Sequence, residues 1–277
     1  MTGLFNYIER SSPIHRLTGA TKLACLLLWS FAAMTTFDTR LLAALAVLAL
    51  ALFRVSKIKF SDVKVLFWFT FVFMLLNNLL IYLFSPEHGV SLYGSRHVIW
   101  RGIGRFTLTK EQLFYQLNVV LKYMATIPVV MLFVTTTEAS EFASSLNRVG
   151  VSYKIAYSVS LALRYIPDIQ REYRDISTAQ QARGLEMASR KESLVRRLKN
   201  AVSMIFPLII SSMDRIEVVA NAMELRGFGK GKKRTWYSAR PFAKADYAAV
   251  IFCALLLAVS LLLNIPNGGR YFNPFIG

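Results

Sequence analysis

Histidine, cysteine and acidic side chains are scarce in this 277-residue chain, which holds 3 His, 2 Cys and 16 Asp plus Glu against 33 Lys plus Arg. The two cysteines, Cys25 and Cys253, each lie inside an apolar run, where a thiol behaves as a small hydrophobe. His15, His88 and His97 fall outside the apolar runs and form no Cys/His spacing of a zinc site. No HExxH, GxSxG, GxxxxGKS or GxxxxGKT sequence occurs, and no paired carboxylates lie within an apolar run. A zinc hydrolase, a serine nucleophile elbow and a phosphate-binding loop are therefore not expected, and no cofactor or metal is implied.

Apolar residues, by contrast, make up 55% of the chain, and mean hydropathy is +0.42. They are clumped into runs such as Leu41 to Phe53, Val65 to Phe84 and Tyr247 to Leu263, the primary sign of helices that cross a bilayer. Net charge is +17. In a soluble protein that would suggest nucleic acid. Here Lys and Arg lie mainly between and after the apolar runs, so positive-inside bias and anionic lipid headgroups account for them and no nucleic-acid partner is expected.

The runs predict about five spans: Leu23 to Phe37, Leu41 to Phe53, Val63 to Phe84, Leu113 to Thr135 and Tyr247 to Ile265. The first two are short against the ~20 residues a bilayer demands, so they borrow flanking Thr and Ser or form a tight helical hairpin. Arg10, Arg16 and Lys22 before the first span loosely mimic a signal peptide, but a second apolar run follows at once, so the first span is read as retained. Arg54, Lys57, Lys59 and Lys64 follow the second span, and 19 Lys plus Arg against 11 Asp plus Glu lie between 138 and 246. With the N-terminal basic residues these fall on one side, which the positive-inside rule makes cytoplasmic. The loop from Ser85 to Glu111, with Arg96, Arg101, Arg105 and Lys110, then lies outside, as does the C-terminus. The chain divides into a four-span region over 1–137, a cytoplasmic region over 138–246, and a last span with an outer tail over 247–277.

The cytoplasmic region is too charged to cross a membrane and too apolar for a linker. Val159, Leu163, Ile166, Ile169, Tyr173 and Ile176 recur at gaps of three and four, one face of a helix, with Arg164, Asp168, Arg171, Glu172, Arg174 and Asp175 elsewhere. A second helix reads from Ala201 to Leu225. It is apolar all round over Met204 to Ile210, then striped at Met213, Ile216, Ala220 and Met223. A basic stretch, Arg190 to Lys199, joins the two. Each helix carries a proline, Pro167 or Pro207, which removes a ladder hydrogen bond and predicts a kink. Each ends in Arg-Gly, at Ala182-Arg183-Gly184 and Leu225-Arg226-Gly227. Glycine commonly stops a helix in the left-handed conformation, and arginine suits the negative end of the helix dipole. An arginine left at such a tip also presents a rigid fork of donors suited to carboxylates.

Leu163-Arg164-Tyr165-Ile166-Pro167, Ala179 to Gly184 and Ala222 to Gly229 resemble the transmembrane T component of energy-coupling factor (ECF) transporters, including the cobalt- and nickel-type T subunits. The likeness runs in layout from Ser11 to Leu263. The family's Asp-Pro-Arg-Thr-Lys lead-in is reduced here to Thr21-Lys22. The resemblance implies an all-α integral membrane protein of about five spans with long amphipathic cytoplasmic coupling helices, in the plasma or inner membrane. It implies that Ala182, Arg183, Gly184, Leu225, Arg226 and Gly227 couple to two ABC-type ATPase subunits, which are other polypeptides. It implies hinges at Pro167 and Pro207, and contact of Ile166, Ile169, Met204, Leu208 and Met213 with a small membrane S component. That component binds the substrate, a vitamin, a vitamin precursor or a metal ion. Met187, Met204, Met213 and Met223 would give that surface deformability. Lys230, Lys232, Lys233 and Arg234, with Trp236 and Tyr237, read as an interfacial anchor.

The alternative is a self-sufficient secondary transporter or channel, which needs ionisable groups facing a path through the spans. The spans offer few candidates: Asn77 and Asn78 in the third and Lys122 in the fourth.

Overall fold

A computed structural model describes residues 12–101, 106–184, 194–231, 235–237, 239–266 and 269–275. Among the described residues the fold is all-α apart from one short hairpin, and the chain divides into two compact units: Met1–Ser145 with Ala239–Gly277, and Leu146–Ser238.

The first unit contains the membrane helices. After a short helix α1 (Pro13–Arg16), α2 (Gly19–Thr35) and α3 (Thr39–Val55) form the tight hairpin that the short apolar runs require. Three residues turn the chain. Within the turn Asp38 donates its N–H to the Thr36 hydroxyl, and the Asp38 carboxylate accepts from Arg40 N–H. Both helices have 17 residues, about 26 Å of rise, against a hydrocarbon core of about 30 Å. Helix α2 reaches its length by starting four residues before the apolar run, taking in Thr21 and Lys22. Helices α4 (Phe60–Phe84), α6 (Lys110–Thr136) and α10 (Lys244–Leu263) are each long and apolar enough to cross a membrane.

The core of this unit is small and tight. Trp29 and Ala33 of α2 meet Leu41, Leu45, Ala46 and Ala49 of α3, Ala125 of α6 and Cys253 of α10. Small residues let the helix backbones approach closely where lipid gives no hydrophobic drive to associate. Ala125 opens the space through which Trp29 donates its indole N–H to the Ala125 carbonyl at 2.9 Å, one turn before Pro128. Helix α4 is apolar all round and buries only Val63 and Met74, leaving a broad apolar surface to the bilayer.

No periodicity in the sequence announces the cap at one end of this unit. There β1 (Val98–Arg101) pairs antiparallel with β2 (Thr107–Thr109), next to the short α5 (His88–Tyr93). The buried Glu111 carboxylate holds the hairpin by accepting from the His97 N–H and the Ser95 hydroxyl, with the His97 ring nitrogen at 2.6 Å. The C-terminal tail folds back over this cap. Phe37 donates its N–H to the Arg270 carbonyl at 2.7 Å, and Asn273 donates to the Tyr93 carbonyl at 2.9 Å. Tyr93, Phe114, Tyr271 and Phe275 stack edge to face around it. Burial pushes the Tyr93 phenol up to about 12, so it stays neutral across the physiological range.

The second unit is built on two long antiparallel helices, α8 (Tyr153–Ala182) and α9 (Leu194–Leu225). Between the two units' residues in sequence runs α7 (Ala139–Arg148). Ser152 caps α8 by accepting from the Ile155 N–H. Helix α9 begins seven residues earlier than the apolar pattern indicates, so the backbone of 194–199 is helix and not a joining stretch. The rest of that stretch, 190–193, lies outside the described residues, as do Met187, Lys232, Lys233 and Arg234.

Candidate coupling site

Both Arg-Gly sequences end their helices. Helix α8 stops at Ala182; Arg183 is the capping residue and Gly184 takes a left-handed φ of 86°. The Gly184 N–H donates to the Gln181 carbonyl at 2.9 Å. Helix α9 stops at Leu225, and Gly227 has φ 69°. Here the whole Schellman pattern is present: Gly227 N–H donates to Glu224 O at 2.8 Å and Phe228 N–H to Met223 O at 2.9 Å. Glycine supplies the left-handed turn without the steric cost a Cβ would incur, which leaves the arginine before it on the last turn. Arg183 and Arg226 are both exposed, as are Ala182 and Leu225. Leu225 is 89% exposed, a large apolar side chain held out beside a guanidinium.

The second tip is braced by a residue whose role the sequence did not disclose. Phe228 packs on Tyr157 at 4.9 Å and Tyr153 at 5.7 Å between ring centroids, tying the turn after Arg226 to the first turns of α8. Trp236 donates its indole N–H to the Asn147 side chain at 3.1 Å and lies against Tyr157. Trp236 is thus a tie within this unit, while Tyr237 is fully exposed. The aromatic spacing could have flagged these contacts only with the helix register known.

Pro167 and Pro207 stand near the middle of α8 and α9, which run as assigned helix on both sides of them. Of the residues expected at an apolar contact surface, Ile166, Ile169 and Met213 are exposed, Met213 to 63%, and Leu208 is half-buried. Met204 is the exception. It is 1% exposed and packs inward, because the all-round apolar stretch of α9 has a buried side that periodicity could not assign.

Several polar side chains within the spans donate to backbone carbonyls. Lys122 donates to the Met34 carbonyl at 3.1 Å and lies 3.3 Å above the Phe37 ring, so it caps the carbonyl end of α2. Asn78 donates back to Met74 O in its own helix, and Gln116 donates to Asn78 O. Lys22, counted from sequence among the basic residues before the first span, is buried. It donates to the Thr136 carbonyl at 2.7 Å and lies 3.5 Å from the Glu141 carboxylate. Glu141 also accepts from the Gly19 N–H, and Asp246 of α10 accepts from the Thr18 N–H, each at 2.8 Å. No group of three metal-ligating side chains occurs among the described residues.

The fold and the site define a class: a polytopic membrane protein with a pair of long amphipathic helices, each ended by an exposed arginine. The family model of the cobalt transport protein family, CbiQ, matches residues 10–237. The energy-coupling factor transporter transmembrane protein EcfT of Heliobacterium modesticaldum is 29% identical over 254 residues, covering 90% of this chain and 92% of the relative. The EcfT of Bacillus subtilis is 24% identical over 93% of this chain and 96% of its own length. The chain belongs to this family: it is a T component, the energy-coupling membrane subunit, of an ECF transporter.

Proposed function

We propose that this subunit is the non-catalytic scaffold of an ATP-driven importer in the plasma or inner membrane. Residues 138–246 lie on the cytoplasmic side. Arg183 and Arg226 insert into acidic grooves on two ABC-type ATPase subunits, and a small membrane S component docks on the exposed apolar residues of α8 and α9. Closure of the ATPases on ATP displaces the two tips. The helices bend at Pro167 and Pro207, where the ring removes a ladder bond, and the S component is tipped to release a vitamin, vitamin precursor or metal ion inward. The S component chooses the substrate.

One observation carries this reading: two exposed arginines on the glycine-terminated ends of two paired helices, one flanked by an almost fully exposed leucine. The open apolar surface at Ile166, Ile169 and Met213 supports a membrane-protein partner. Expressed with its neighbouring genes and extracted in mild detergent, the chain is expected to co-purify with two ABC ATPase domains and one small apolar protein. A monodisperse chain that transports alone in liposomes would overturn the reading.

A further inference from the structure

Among the described residues, two sets of contacts hold α8 and α9 against each other, with a groove between them. One set is the aromatic seat of Phe228 on Tyr153 and Tyr157. The other is polar. The Glu172 carboxylate of α8 accepts from the Arg215 guanidinium at 2.7 Å and from the Ser211 hydroxyl, both on α9. Arg215 in turn lies over the Tyr165 ring, 6.0 Å from its centroid. The intervening groove, about 660 Å³, is lined by Leu161, Ala162, Ile169, Ile216, Val219 and Met223 among others.

The position of the polar fastening is informative. Pro167 stands five residues before Glu172, and Pro207 stands four before Ser211. Because the helices are antiparallel, the two prolines fall on opposite sides of the fastening along the pair. Each proline leaves the carbonyl one turn earlier, Leu163 or Ser203, without its helical donor and weakens its helix there. A stiff joint therefore stands between two weak points. A charge-assisted bond from a planar guanidinium, reinforced by a hydroxyl, fixes separation and register at once.

We propose that Glu172, Arg215 and Ser211 form a clasp that makes the two coupling helices one lever, so that displacement of either arginine tip is delivered to both helices instead of being lost by their sliding apart. These are positioning residues: they touch neither nucleotide nor substrate. The inference rests on the coupling role proposed above.

The test uses the complete membrane complex carrying Glu172→Arg, Arg215→Glu or both, with Glu172→Gln as a milder variant that keeps the side-chain shape. Three quantities are read: yield of the complex, rate of ATP hydrolysis, and substrate taken up per ATP hydrolysed. Each single variant is expected to keep yield and hydrolysis within about twofold while uptake per ATP falls about tenfold or more. Glu172→Gln is expected to fall in the same direction but less. The reciprocal double variant, which restores opposite charges across the joint, is expected to recover to within about threefold of the parent. Unchanged uptake per ATP in the single variants would overturn the clasp, as would a double variant no better than the singles. Loss of complex yield in the singles would overturn it too, because it would assign the pair to folding. Failure of the unmodified chain to bring down any ATPase would instead refute the coupling role on which the clasp depends.

Discussion

A chain carrying Arg183→Ala and Arg226→Ala together is expected to fold, insert and yet lose ATP-dependent uptake. Each arginine follows the last helical residue and is exposed, and the left-handed turn beyond it is supplied by Gly184 or Gly227 and not by the arginine side chain. Truncation should therefore cost the fold little, within about 0.5 kcal/mol as at other surface positions. At a desolvated interface the same truncation leaves a partner carboxylate unpaired, and such losses run to about 2–5 kcal/mol each. One tip alone should weaken assembly by about 30-fold or more. On the proposal that the tips engage different ATPase subunits, the two losses should add. Arg→Lys at either tip keeps the charge but not the bidentate fork, so it should fall between the parent and alanine. Uptake into proteoliposomes, with circular dichroism to confirm helix content, checks the expectation.

Lys22→Met is expected to cost about 3–5 kcal/mol of stability, because it strands the Glu141 carboxylate in a buried site that its ammonium neutralised. Lys22 bridges α2 to the end of α6 and the start of α7 through the Thr136 carbonyl and Glu141. The surroundings cannot relax to fill the loss. A Cβ at Gly19 would lie 2.5 Å from the Ser145 hydroxyl oxygen and 2.6 Å from Glu141 Cγ, so α2 and α7 are already at closest approach. Glu141→Gln alone should be milder, since the amide keeps an acceptor for the Gly19 N–H. The pair Lys22→Met with Glu141→Leu should cost less than the sum of its parts, since it removes both buried charges together. Thermal unfolding in detergent would report all of these; equal and additive losses would show that the two side chains do not act as a pair.

The long helices were legible because their signals are local. The gaps of three and four from Val159 to Ile176, and the glycines after Arg183 and Arg226, specify α8 and α9 without reference to any distant residue. The start of α9 was misplaced because Leu194, Val195 and Leu198 are scattered among Arg196, Arg197 and Lys199, which mask the apolar period. What stayed hidden depends on partners far apart in the chain. Lys22 meets Glu141 across 119 positions, Phe37 meets the tail at Arg270 and Tyr271, and Glu172 meets Arg215 only through the register of two antiparallel helices. Strands of four and three residues carry too little alternation to be read at all. Met204 shows the same limit at the site itself: a helix stretch that is apolar on every side does not say which side is covered.

The account turns on what the two tips touch. A photoactivatable side chain placed at Ala182 or at Leu225, each beside an arginine that remains intact, should label whatever lies against that tip in native membranes. The predicted result is a cross-link from each position to an ABC ATPase subunit, lost when the neighbouring arginine is replaced by alanine. Cross-links only to lipid, or only within the chain itself, would contradict the account.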